Sequence, residues 1–204
     1  MDATTRRPTV PTQSDRLEVT TVTGAGERLA VQEDGTRSRS AGLPPVARYL
    51  MAGLRLALGW VFLWAFVDKL FGLGRATPAE GAWIDGGSPT EGFLANAPTG
   101  PFASTFNAIA GAAWADWFFM LGLLGIGVAL MLGIGMRIAT VAGSLMLVLM
   151  WAAVLPPENN PFMDDHLIYA GTLFLLLVLG AADTFGLGRT WKSLGIVQRF
   201  PVLR

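Results

Sequence analysis

The sequence predicts an all-α membrane protein: a four-transmembrane-helix bundle with short surface helices in the loop between helices 1 and 2. Three observations lead there. Only 15% of the 204 residues are charged while 52% are hydrophobic, and the mean hydropathy is +0.47; soluble domains carry about 25% charged residues. Four apolar segments approach the ~20 residues that a helix needs to cross a bilayer. Basic and acidic residues are sorted into alternate connections between those segments. The net charge is zero, and no basic patch suited to nucleic acid stands out. With no Cys, the chain cannot build a disulfide, a thiolate zinc site, an iron–sulfur cluster or a c-type haem. One His cannot supply bis-histidine haem ligation. No metal centre and no built-in cofactor are expected.

Residues 1–42 read as a disordered cytoplasmic tail, rich in Thr, Arg, Glu, Gly and Ser, with no aromatic residue and no sustained periodicity. No apolar signal follows the early arginines. The membrane domain then occupies 43–192, and 193–204 form a second cytoplasmic tail. The first span runs from Val46 to Leu70 and is interrupted by Arg55. An unpaired charge at that depth costs several kcal/mol (on the order of 3), so Arg55 either snorkels to the cytoplasmic headgroups, the simpler reading, or finds a partner in the bundle. Asp68 and Lys69 lie near the outer end of this span. Sequence neighbours point about 100° apart on a helix, so one faces the bundle while the other reaches water.

The loop over 72–113 carries its own signals. Ser88-Pro89-Thr90-Glu91 reads as a capping box with Pro at the first helical position, opening a short helix through Ala97. Pro101 opens another over Phe102–Ala110, with Phe102, Phe106 and Ile109 on one face. These helices suit a lid over the bundle or an interfacial anchor, with Trp83 and Phe93 among the headgroups. The second span, Trp117–Met136, and the third, Ile138–Leu155, are uncharged. The fourth runs from Leu167 to Ala182 and further if the helix persists to Gly188. Glycine-rich ends at 71–75, 133–137 and 185–189 suit left-handed caps followed by a cation, closing helices 1, 2 and 4. Small residues four apart, Gly53/Ala57, Gly125/Ala129 and Ala139/Gly143, predict close helix packing, with Gly122 placed against Ile126 in the same register.

Orientation follows from Lys and Arg alone. Arg37 and Arg39 precede the first span and Arg48 lies at its very start, Arg137 lies in the turn after the second, and Arg189, Lys192, Arg199 and Arg204 follow the fourth. The other two connections hold acids and one basic residue, Arg75. The expectation is a multi-pass protein of the cell membrane with both termini cytoplasmic.

Two groups at the outer end can carry chemistry. Trp60, Trp64 and Asp68 fall at i, i+4 and i+8. They read either as part of an interfacial aromatic belt or as a flat apolar stripe suited to a quinone and capped by Asp68, Lys69 and His166. Asp164-Asp165-His166 opens the fourth helix, where acids complement the dipole. His166, the one His, is either a hydrogen-bonded interface residue or a proton donor and acceptor near neutral pH.

The pattern Arg55, Gly59, Phe62 and Lys69, the glycine-rich second span running into Arg137, and Asn159-Asn160-Pro161-Phe162 followed by Asp164-Asp165-His166 resemble DoxX/DoxD-like integral membrane proteins. The resemblance covers about residues 46–192 and implies a four-helix membrane fold. Its DoxD branch implies a small-subunit-like role in thiosulfate:quinone oxidoreductase, which oxidises thiosulfate to tetrathionate and passes electrons to quinone. Many DoxX-like members carry a Glu in the second helix; Trp117–Met136 has no acid. That leaves Asp68, Lys69 and His166 as candidate catalytic residues. Trp60 and Trp64 would receive the quinone, Lys69 or Arg75 the thiosulfate anion, and His166 or Asp165 would relay protons. Quinone would be a co-substrate, and a second redox subunit would supply the missing electron path, with the lipid bilayer and further copies of the chain as other partners. The alternative from a different class is a non-catalytic scaffold that anchors a partner enzyme. A transporter fits less well, because the middle spans lack the broken helices and central acids that mark one.

Overall fold

A computed structural model describes residues 39–204 of the chain. The predicted tail therefore lies outside the described residues up to Ser38, and its last four positions, Arg39–Gly42, form a 3₁₀ turn. Every regular element among the described residues is helical.

The first long helix, α1 (Pro45–Phe71), begins on a proline that needs no intrahelical donor and ends where Gly72 adopts φ 60° and donates its N–H to Asp68 O at 2.8 Å. Ala52, Arg55, Gly59 and Phe62 recur at spacings of three and four, which puts them on its buried face. Beyond α1 come two 3₁₀ turns, Ala79–Gly81 and Trp83–Asp85, and two short helices, α2 (Glu91–Asn96) and α3 (Ala103–Asn107). The long helices α4 (Ala113–Leu132), α5 (Met136–Ala153) and α6 (Asp165–Val178) follow. Past a 3₁₀ turn at Ala181–Asp183 lie α7 (Gly188–Ser193), α8 (Gly195–Arg199) and a last turn, Pro201–Leu203.

Helices α1, α4 and α5 are long and apolar enough to cross a membrane. Their outer faces carry large apolar side chains in the open, with Phe118 73% exposed. Such a surface suits lipid rather than water, and the chain is a membrane protein by that criterion. The fourth apolar helix, α6, is shorter than predicted. It ends at Val178, where Gly180 takes φ 70°, and its 14 residues rise only about 21 Å. The glycine-rich run 185–189 therefore does not close this helix; Gly188 instead opens α7.

Of the glycines that the four-residue spacing singled out, Gly143 and Gly122 lie in close contacts, Gly122 against Met146, while two others do not. Gly53 and Gly125 face open space. Helices α1 and α4 meet instead at Gly59, whose missing Cβ would lie 3.0 Å from Leu130 Cβ and Met131 N, and at Gly127, where it would lie 2.9 Å from Leu63 N. Helices α5 and α6 meet at Gly143, facing Leu173. On that seam the hydroxyls of Thr140 and Ser144 donate to Leu173 O and Ala170 O, each at 3.4 Å. Met120, Leu123, Ile126, Leu147, Leu173 and Leu176 fill the space between.

The chain beyond 193 is not a loose tail. The first-turn N–H of Arg137 in α5 donates to Arg204 O at 2.9 Å, and its guanidinium donates to Pro201 O at 2.8 Å. Val197 is fully buried.

Candidate functional site

At the end of the bundle where α1 stops and α6 starts, the sequence-predicted residues divide into separate settings. Asp68, 1% exposed, turns inward. Its Oδ1 accepts from the Arg75 N–H at 3.2 Å and its Oδ2 from the Ala76 N–H at 3.0 Å. The carboxylate thus folds the chain back after the Gly72 cap, at a helix end where an acid without such donors would be disfavoured. Lys69 is half-buried, and its ammonium makes no hydrogen bond or ion pair among the described residues. Arg75 supplies its backbone N–H to Asp68, while its side chain is exposed.

Trp60 and Trp64 lean on one another with ring centroids 5.8 Å apart and are exposed on the outside of α1. They do not share a stripe with Asp68. Each step of four residues over-rotates a helix by about 40°, so two steps turn Asp68 into the core while Trp60 faces outward. Trp83, expected among headgroups, packs edge-on against Trp117 at 4.7 Å and on the core.

His166 belongs to a second setting. Asp164 caps α6, accepting from the Leu167 N–H at 3.4 Å, and its other carboxylate oxygen lies 2.7 Å from His166 Nδ1. Because a carboxylate only accepts, that nitrogen is the donor, and in the neutral ring Nε2 is left as an acceptor. Asp165 Oδ1 stands 3.5 Å from the same Nδ1 and is 65% exposed. The three side chains offer ligand atoms within 4.8 Å of one another, so a cation would find donors here. They line an open depression of about 420 Å³ with Val154, Glu158, Asn160 and Met163. Neither Asp68 nor Lys69 lines it.

Asp116, one turn into α4, escaped the sequence reading as more than a loop acid. It is buried, and its Oδ1 accepts from Ser88 Oγ at 2.9 Å, Thr90 N–H at 3.0 Å and Thr90 Oγ1 at 2.6 Å. Ser88 does accept from the Glu91 N–H at 3.1 Å, as a capping box requires, but its own proton goes to Asp116 and the helix begins only at Glu91. A carboxylate immediately before the predicted second span, with turn hydroxyls upstream, was the available signal.

At the opposite end, Arg55 does not snorkel. It is 0% exposed. Its guanidinium donates to Leu130 O, to Met131 O at 3.0 Å, to Thr184 O at 3.3 Å and to Phe185 O at 2.8 Å. Two of these are last-turn carbonyls of α4, where a cation is favoured by the helix dipole. Nearby, buried Asp183 pairs with Lys192 at 2.6 Å. No family model, curated protein or solved structure matches the chain.

Proposed function

We propose that this chain is a DoxX/DoxD-like membrane subunit of a quinone-linked redox complex, contributing a proton-exchange site at its outer face. The observation that carries the reading is His166, its Nδ1 2.7 Å from Asp164 at the edge of an open depression. A carboxylate on Nδ1 fixes the imidazole and leaves Nε2 to take or give a proton. Quinone reduction takes up protons with its electrons, so such a group suits the place where quinone or its proton supply meets water. Lys69 and Arg75, outside this depression and six residues apart at the close of α1, are the cations proposed for an anion such as thiosulfate, and Trp60 with Trp64 offers an aromatic face to a quinone in the bilayer. Electrons would come through a partner subunit, because the chain has no Cys and a single His.

In this reading α6 crosses together with the 3₁₀ turn that follows it, making four spans. Both termini are then cytoplasmic, since Arg48, Arg137, Arg189 and Lys192 lie at one end and the acids of the two other connections at the opposite one. Membranes containing the chain and its native partners should oxidise thiosulfate with quinone as acceptor. His166→Gln should lower that rate by about 10²-fold or more, while Arg75→Gln should raise KM for thiosulfate. Full activity in both variants would remove the outer-face site from the proposal.

A second reading is a non-catalytic anchor. It is favoured by one observation: the buried ionisable groups Arg55, Asp68, Asp116 and Asp183 are bonded to the chain's own backbone, hydroxyls or Lys192. Co-purification of a soluble enzyme at fixed stoichiometry, with its activity indifferent to His166→Gln, would favour this reading over the first.

A further inference from the structure

Residues 185–204 combine features that the functional proposal leaves unused. Phe185, Leu187, Leu194, Ile196, Phe200 and Val202 are all exposed. The same stretch contains Arg189, Lys192, Arg199 and Arg204 and no acid. Lys192 is neutralised by Asp183, whereas Arg189, Arg199 and Arg204 form no ion pair among the described residues. Helices α7 and α8 have six and five residues, too short to cross a bilayer.

The segment is nevertheless held in place. The Leu187 N–H donates to Leu132 O at 2.8 Å and Trp191 Nε1 to Leu203 O at 2.5 Å, and Val197 is buried beneath. Its apolar surface also runs on from a membrane-crossing helix, because Phe185 stacks on the exposed Tyr49 of α1 at 5.3 Å. That continuity points to lipid, because whatever covers Tyr49 on the span continues onto Phe185.

We propose that residues 185–204 lie in the membrane interface and bind the headgroups of anionic phospholipids, with the apolar side chains among the upper acyl chains. The combination is that of an interfacial amphipathic segment, in which buried apolar area and attraction to anionic lipid add. Each basic side chain at such a surface strengthens binding roughly fivefold, so the three unpaired arginines together supply about 100-fold. The inference rests on the chain crossing a membrane and is independent of any redox role.

The absence of native Cys permits a direct test on the full chain. Ile196→Cys is labelled with a polarity-sensitive fluorophore, and the protein is placed in nanodiscs of phosphatidylcholine alone or with one quarter phosphatidylglycerol. Headgroup-level spin-labelled lipid should quench the probe at least about twofold more in the anionic discs. High salt should reduce the difference, and so should Arg189→Gln with Arg199→Gln. The unlabelled parent should also unfold at a higher temperature in the anionic discs, a readout that needs no variant. A probe in water in both discs overturns the proposal. Equal quenching in both overturns its anionic specificity. Shielding from lipid and water alike, lost on dilution, would assign the surface to a protein partner instead.

Discussion

A guanidinium has five N–H donors and no acceptor, and Arg55 directs its terminal nitrogens at four backbone carbonyls from two parts of the chain. Among the described residues no carboxylate forms an ion pair with it, so the balance to the charge is the negative end of α4 together with the carbonyls of Thr184 and Phe185. Arg55→Met keeps much of the volume but strands those carbonyls. The expected loss is about 1–3 kcal/mol, the cost of leaving buried acceptors without a donor. It should appear as a markedly lower unfolding midpoint in detergent. Arg55→Lys should recover only part of it, because an ammonium is a point donor without the planar fork. An unchanged midpoint in Arg55→Met would mean that these bonds contribute nothing net.

Among the helices, the α1–α4 seam is set by glycine at Gly59 and Gly127, where a Cβ would meet the neighbouring backbone. Gly127→Leu should overpack it and cost about 1–3 kcal/mol. Gly125→Leu, two residues away and facing open space, should stay within about 0.5 kcal/mol of the parent. Thermal unfolding of the pair checks both. The comparison also explains what the sequence leaves open. Helix existence and order are legible in composition, and so are the ends capped by Gly72 and Gly133, but not the end of α6, which stops at Val178 before the glycine run expected to close it. Which face of α4 turns inward is not, because lipid accepts the apolar side chains that a core accepts, and the helix is apolar all round. The site divides in the same way. The sequence reading grouped His166 with Asp68 and Lys69, whereas its contact is Asp164, two residues away; Asp68 and Asp116 find donors across loops whose folding no spacing rule predicts. Arg55 was legible as a charge needing satisfaction; its partners, from 75 to 130 residues away, were not.

At the scale of the molecule, the number of crossings decides which connections share a compartment. If α6 crosses with its 3₁₀ extension, exposed Asn159 and exposed Ser193 lie on opposite sides; if it does not, they lie on the same side. With the four crossings proposed above, single Asn159→Cys and Ser193→Cys proteins should react differently with a membrane-impermeant maleimide in intact cells. The first should label outright and the second only after lysis. Labelling of both from outside would reduce the bundle to three crossings and leave α6 as a helix packed along α5.

The Arg55 bonds also set an order of assembly during synthesis. Leu130 is made 75 residues after Arg55 and Phe185 130 residues after it. At ~5–20 residues per second the last of these partners arrives roughly 6–26 s later. Helix α1 therefore reaches the membrane with its guanidinium unpaired, free to extend toward the headgroups. The 184–185 carbonyls are the last of its partners to be made, and the bonds joining Arg137 to Arg204 and Trp191 to Leu203 await residues made later still.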